Sequence, residues 1–180
     1  MNDLERDVDN AKPTYTELMQ LLQFTPDDLA LNRDGQLAER QKIALQRRRQ
    51  RTLLIMAGIV IAAIIAATLL IFFGQVNTSG ILVIIGAGVT VCAAAISGIF
   101  ARHVLRISAD LQGGKVMAVS GKLERVVKPL NRSVATYILR VGDVEVTTSK
   151  EVFREFKHEA KYHLYLTPYT RVLLSAEAGK

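Results

Sequence analysis

Two stretches of the chain leave little freedom. "TLLIMAGIVIAAIIAATLLIFF" (52–73) and "ILVIIGAGVTVCAAAISGIF" (81–100) run for 22 and 20 residues without a charged side chain. At about 1.5 Å of rise per residue, a helix of either length reaches ~30 Å, the thickness of a bilayer's hydrocarbon core. A backbone inside lipid must satisfy its own hydrogen bonds, so each stretch is expected to be a transmembrane helix. Only seven residues, "GQVNTSG" (74–80), join them, which makes a hairpin with a short extracytoplasmic loop. The first span follows 51 residues of chain and lies too deep for a cleaved signal peptide.

Charge orients the hairpin. Residues 1–39 carry nine acids and three bases, and residues 40–51 carry six bases and no acid. Residues 102–180 carry 14 bases and eight acids. Arg47, Arg48, Arg49 and Arg51 precede the first span, and Arg102 and Arg106 follow the second. Lys and Arg are retained on the cytoplasmic side, so both termini are expected there. The same arginines attract anionic lipid headgroups, by about 1 kcal/mol per basic residue near the surface. Asn77-Thr78-Ser79 spells a glycosylation sequon, but so close to the bilayer it reads as a turn.

Small residues recur at helical spacing inside the spans: Gly58, Ala62 and Ala66 in the first, and Gly86, Thr90 and Ala94 in the second, extended by Gly98. Such rows let helices approach closely. They predict packing of the hairpin against itself, with contact to another subunit as the alternative. Neither span holds an ionisable side chain of the kind that marks ion or proton pathways, so a transporter or channel acting alone is disfavoured. The single cysteine, Cys92, excludes an intrachain disulfide and reads as a small apolar residue packed among Ala and Ser.

Before the spans, residues 1–12 are acidic and polar and are expected to be disordered. Residues 13–51 read as a helical arm ending in the basic juxtamembrane segment. Thr14 with Glu17 suggests a capping box, and Tyr15, Leu18, Leu21 and Leu22 share a face. Thr25, Pro26, Asp27 and Asp28 start a second helix, with Phe24 and Leu29 at hydrophobic-staple positions. "LAERQKIALQRRRQR" has no breaker and runs on into the first span. Some forty residues cannot bury such a stripe alone, so it needs a partner surface. Between the second and third helices, Asn32-x-Asp34-Gly35 spells the middle of an EF-hand loop. With Gly35 at position 6, positions 1 and 12 are Ala30 and Gln41, where a carboxylate and a bidentate Glu are required. The stretch therefore reads as a turn, with no calcium expected.

After a linker at 101–114, the pattern alternates. Strands are expected at 115–127 (with Gly121 as a bulge or bend), 134–141, 144–148, 161–167 and 171–177, with a helix at 149–158 capped by Ser149. The order β-β-β-α-β-β over 115–178 is that of an OB-like barrel, with an SH3-like barrel as the alternative. Alternation assigns Tyr137, Leu139, Val141, Tyr162, Leu164, Leu166, Val172, Leu174 and Ala176 to the core. It leaves Arg140, Lys161, His163, Tyr165 and Arg171 outside as a candidate binding face. A basic face with aromatic character can meet anionic lipid, a protein partner or single-stranded nucleic acid, the last by charge plus stacking; nucleic acid ranks lowest of the three.

Walker, HExxH, GxSxG and Rossmann signatures are absent from the sequence. Glu155-x-x-His158 is half of a di-metal carboxylate motif without its other half. No enzyme activity, catalytic residue, cofactor or metal is therefore expected. "LLQFTPDDLALNRDGQLAERQ" and "YHLYLTPYTRVLLSAE" resemble uncharacterised bacterial two-span membrane proteins with a small C-terminal β-domain. The arrangement is also similar to NfeD-type proteins, although the helical arm departs from them. That similarity implies the bacterial inner membrane and a place in scaffolding or membrane-protein quality control. The expected role is a membrane-anchored adaptor, scaffold or accessory subunit with a protein partner or a second copy, and a tethered single-strand binder is the alternative. Titration with calcium should leave the circular dichroism spectrum and thermal midpoint unchanged; a specific micromolar response would overturn the turn reading.

Overall fold

The computed structural model describes residues 15–131 and 134–179. The expected disorder of 1–12, the Thr14 cap and the side chain of Tyr15 lie outside the described residues. The chain forms two compact units: the described residues up to Lys42 together with those from Gly113 on, and residues 43–112.

The first unit is built on an antiparallel sheet in the order β3-β2-β1-β4-β5. The strands are β1 (Met117–Asn131), β2 (Val134–Val141), β3 (Val144–Thr148), β4 (Lys161–Leu166) and β5 (Leu173–Ala178). β1 is the spine: Met117–Lys122 pairs with β4, and Leu123–Asn131 pairs with β2. The change of partner falls beside Gly121, where a Cβ would lie 3.1 Å from Val141 Cγ1. A bare backbone there lets β2 approach as β1 crosses from one neighbour to the other.

The sheet is open, which corrects the closed barrel expected for 115–178. β3 and β5 stand at opposite edges and do not pair. Helices link the two halves instead. Helix α5 (Lys150–Glu155) packs on β2, and α1 (Tyr15–Leu22) packs on both α5 and β5. Helix α2 (Pro26–Arg33) also lies on β5. The ring of Phe153 on α5 meets Tyr137 of β2 at 5.2 Å between centroids, and the Arg125 guanidinium lies over its ring. Phe156 and Tyr162 pack edge to face at 5.0 Å.

The arm is therefore part of the core. Leu18, Phe24 and Leu29 are 2%, 3% and 3% exposed and share one cluster with Leu123, Leu139, Phe156, Leu164 and Leu166. Burying side chains of this size contributes about 1.5–3 kcal/mol each. Local chemistry places them. Thr25 Oγ1 accepts the Asp28 amide at 3.2 Å and Asp28 Oδ2 accepts the Thr25 amide at 2.9 Å, closing a capping box around Pro26. At the other end of α2, Gly35 takes φ +74°, a left-handed turn open to glycine. The turn is stitched to the start of the sheet: Val116 N donates to Gly35 O and Leu37 N to Gly114 O, both at 2.9 Å. The calcium-loop letters are a corner.

The second unit is a helical hairpin. Helix α3 (Glu39–Val76) enters it from the first unit without a break, as the sequence predicts, and α4 (Gly80–Gly113) returns. Residues 101–112, expected to be linker, are helical, because nothing between Ala101 and Gln112 breaks the helix. Thr78, with φ 51°, makes the turn of the hairpin loop. Both helices are long and apolar enough to cross a membrane. Their most apolar windows, with mean hydropathies of 2.9 and 2.3, are only 6% buried, unlike the core helices of a soluble protein.

The helices of the hairpin meet through Gly86, where a Cβ would lie 2.9 Å from Ile71 Cγ1 and 3.2 Å from Ala67 O, and through Gly74 against Val83. Of the predicted packing residues, Gly86 alone is buried; Gly58, Ala62, Ala66, Thr90 and Ala94 are exposed. The seam on α3 runs through Ala63, Ala67 and Gly74, one residue and hence about 100° round from the predicted row. Thr90 donates its hydroxyl to Gly86 O within its own helix, at 3.1 Å. Cys92 is exposed, not packed as expected.

If the arm belongs to the core, Leu18→Ala should destabilise the detergent-solubilised full chain by about 2–4 kcal/mol in denaturant titration followed by tyrosine near-ultraviolet dichroism. Leu21→Ala, at a residue 40% exposed, should change it by less than about 1 kcal/mol.

Candidate functional site

The five residues expected to form a basic outer face do not form one. Arg140 sits mid-strand between two acids in register, Glu124 on β1 and Glu145 on β3. Its Nη2 is 2.6 Å from Glu145 Oε1 and its Nη1 is 3.6 Å from Glu124 Oε2. Lys128 adds a second cation to Glu145 at 3.1 Å. The Arg140 bond, with Lys128 behind it, holds the Glu145 carboxyl below the ordinary range. His163 is half-buried, with Nδ1 2.5 Å from Ser120 Oγ across the β1–β4 pair. Lys161 and Arg171 are exposed, Arg171 in the β4–β5 turn at φ 53°.

Tyr165 corrects the alternation most plainly: it is 5% exposed, not outward. Strand alternation does turn it away from Leu164 and Leu166, but the second face of β4–β5 is roofed by the arm. Ser175, its register partner on β5, is fully buried, as is Asn32 on α2. The Asn32 amide donates to Ser175 Oγ at 2.7 Å, while Asn32 Oδ1 is buried with no hydrogen-bond donor among the described residues. Asn32 and Asp34, the two ligand-like letters of the EF-hand pattern, thus part company: one is sealed under the arm and the other is exposed.

Around this roofed face runs a polar cluster that sequence reasoning missed. Tyr165 donates its hydroxyl to Glu177 Oε1 at 2.7 Å. Arg33, from α2, grips the same carboxylate with Nε at 3.2 Å and with Nη2. The hydrogen bond from Arg33 is the main reason the Glu177 carboxyl titrates below its ordinary value, against a smaller opposing effect of burial. Burial first, and then the bond to Glu177, pushes the Tyr165 phenol up to about 12. The charges run opposite to the bulk pattern: here the acidic arm supplies the base and the basic tail supplies the acid. Net charge per segment could not have found this pair.

A pocket of about 380 Å³ opens between Lys157–Tyr162 and Ala178–Gly179. Its polar groups are partly committed to structure: His158 Nδ1 accepts the Arg125 amide at 3.1 Å, and Tyr162 Oη accepts the Lys157 amide at 3.1 Å. His158 thus braces β1. Among the described residues, no three His, Cys, Asp or Glu side chains are grouped to hold a metal. In the hairpin, Arg47, Arg48, Arg51, Arg102 and Arg106 are exposed, and Arg49 is half-buried.

No protein-family model, curated protein or solved structure matches the chain.

The depressed Glu177 titration carries a sign. A carboxyl held low by the fold adds stability above its unfolded pKa, about 4.3, and loses it as pH falls through the folded value. Glu177→Gln should therefore lower the thermal midpoint near neutrality, and the gap from the parent should narrow as pH drops below 4. A gap constant with pH would remove the ion pair from the account.

Proposed function

We propose that the chain is a membrane-anchored adaptor or scaffold, held in a bacterial inner membrane by its hairpin and presenting the arm-and-sheet unit to the cytoplasm. One observation carries this reading. Two long apolar helices with few buried residues are inserted into a unit whose core draws on residues from before and after them. Apolar area on that scale does not stay in water. That Leu18, Phe24 and Leu29 share a core with the sheet supports exit from and re-entry into the membrane on one side. The arginines flanking both spans support the cytoplasm as that side.

The strand order, with a helix between β3 and β4, supports an OB-related sheet opened at the β3–β5 seam. Single-strand binding through the expected face loses support from the same geometry: stacking requires an exposed ring, yet the ring of that face, Tyr165, is buried, and Arg140 is paired with two acids. A protein partner, a second copy or a membrane enzyme that this chain accompanies remains the better occupant of the presented surface.

Tags at the two termini, probed by protease in sealed inverted and right-side-out vesicles, test the topology. Both should be cut only in inverted vesicles, and cleavage from opposite sides would overturn the reading. Mild-detergent pull-down from native membranes should then return the chain with a stoichiometric protein or a second copy. Recovery of the chain as a monomer with lipid alone would contradict an adaptor.

A further inference from the structure

The pocket of about 380 Å³ beside the start of β4 is lined by donors with hydrogens to spare. Tyr162 is 2% exposed, and its Oη accepts the Lys157 amide at 3.1 Å. The phenol's own hydrogen meets no acceptor among the described residues. Burial holds that phenol above its ordinary pKa, so the hydrogen stays in place. His158 Nδ1 accepts the Arg125 amide, which puts the ring hydrogen on Nε2 and leaves it as a donor. Lys157 is half-buried, and no acid among the described residues pairs with its ammonium. Glu159, which is exposed, is the acid of the pocket, and Ala160, Ala178 and Gly179 form its apolar side. The walls are pinned. Glu159, at φ 63°, donates its amide to Leu123 O at 2.7 Å, and Leu123 N donates to Ala160 O at 2.9 Å. Opposite, Gly179 N donates to Lys161 O at 2.8 Å, in an approach so close that a Cβ on Gly179 would lie 3.0 Å from Lys161 Cβ.

We propose that this pocket binds a small organic acid with a single carboxylate. The Lys157 ammonium and the Tyr162 hydroxyl hold the carboxylate, His158 Nε2 meets it at the rim, and the apolar body lies against Ala160 and Ala178. A cavity of this volume suits a small ligand. A buried donor left without an acceptor is costly, and an ionised acceptor offsets that cost best. Glu159 limits the ligand's charge, since a second negative group would meet a carboxylate already lining the pocket. That favours a monocarboxylate over a phosphate dianion. The pinned walls lower the ordering cost of binding. The site lies wholly within the arm-and-sheet unit. It goes beyond the adaptor reading and does not depend on whether the hairpin spans a membrane.

Benzoate is the probe, and benzamide is its uncharged counterpart of the same shape. Each is titrated into the isotope-labelled full chain in zwitterionic micelles and followed by amide chemical shifts. Benzoate should shift the amides of Lys157, His158 and Gly179 saturably, with a Kd of about 1 mM. Benzamide should bind about fivefold more weakly or worse. Lys157→Gln and Tyr162→Phe should each weaken benzoate about fivefold or more and change benzamide less than about twofold. Lys122→Gln removes the same charge from an exposed residue that shares its face of the sheet with Lys161, opposite to Tyr162. It should weaken benzoate less than about twofold. The Lys157 side chain makes no bond among the described residues, so Lys157→Gln decides the test if Tyr162→Phe fails to fold. Equal binding of benzoate and benzamide, shifts that do not saturate, unchanged affinity in Lys157→Gln, or an equal loss in Lys122→Gln would overturn the site. So would tighter binding of inorganic phosphate than of benzoate, which would make the ligand a free inorganic anion.

Discussion

The structure depends on three apolar side chains from the arm. Leu18, Phe24 and Leu29 complete a core whose other buried members come from the sheet and the α5 segment, more than ninety residues later in the chain. Neither part is sufficient alone. The arm is too short to bury its stripe, and the sheet is open, with α1 and α5 lying where an edge-to-edge closure would otherwise be needed. The hairpin is thus an excursion from a single folding unit. That shared core brings the two flanks of the hairpin into one folding unit.

Polar contacts at the arm set its register more than its strength. Exposed ion pairs contribute roughly 0–1 kcal/mol, and the Arg33 side chain is 54% exposed. The apolar burial beside it outweighs that. What the Arg33–Glu177–Tyr165 cluster and the Asn32–Ser175 bond supply is direction, since each fixes α2 at one position along β5. The stitch between Gly35–Leu37 and Gly114–Val116 does the same at the backbone. One corner therefore orders the arm, the start of α3 and the entry to β1 together.

Much of this was legible from residues alone. Charge-free runs marked the long helices, and period-two alternation gave β2 and β3 to the residue. Ser149, Thr25 and Pro26 gave the helix starts. What stayed hidden were relations between distant segments. Alternation says which residues share a face of a strand, but not what covers that face, so it puts Tyr165 outside and carries no sign of the roof over Ser175. A row of small residues every four positions appears on more than one face of an alanine-rich helix, so spacing alone chose Gly58-Ala62-Ala66 over the seam one residue on. Closure of the sheet hinges on whether β3 reaches β5, which the order of elements does not specify. The staple residues Phe24 and Leu29 read as apolar and in need of a partner; that partner is the core formed by residues that follow the hairpin in sequence.

Hydrogen–deuterium exchange on the full chain in a bilayer mimic tests the shared core most directly. If the arm and sheet are one cooperative unit, amides in Tyr15–Leu22 should show protection close to that of Lys161–Leu166 and lose it together with them in mild denaturant. An arm that exchanges freely while β4 remains protected would contradict the account.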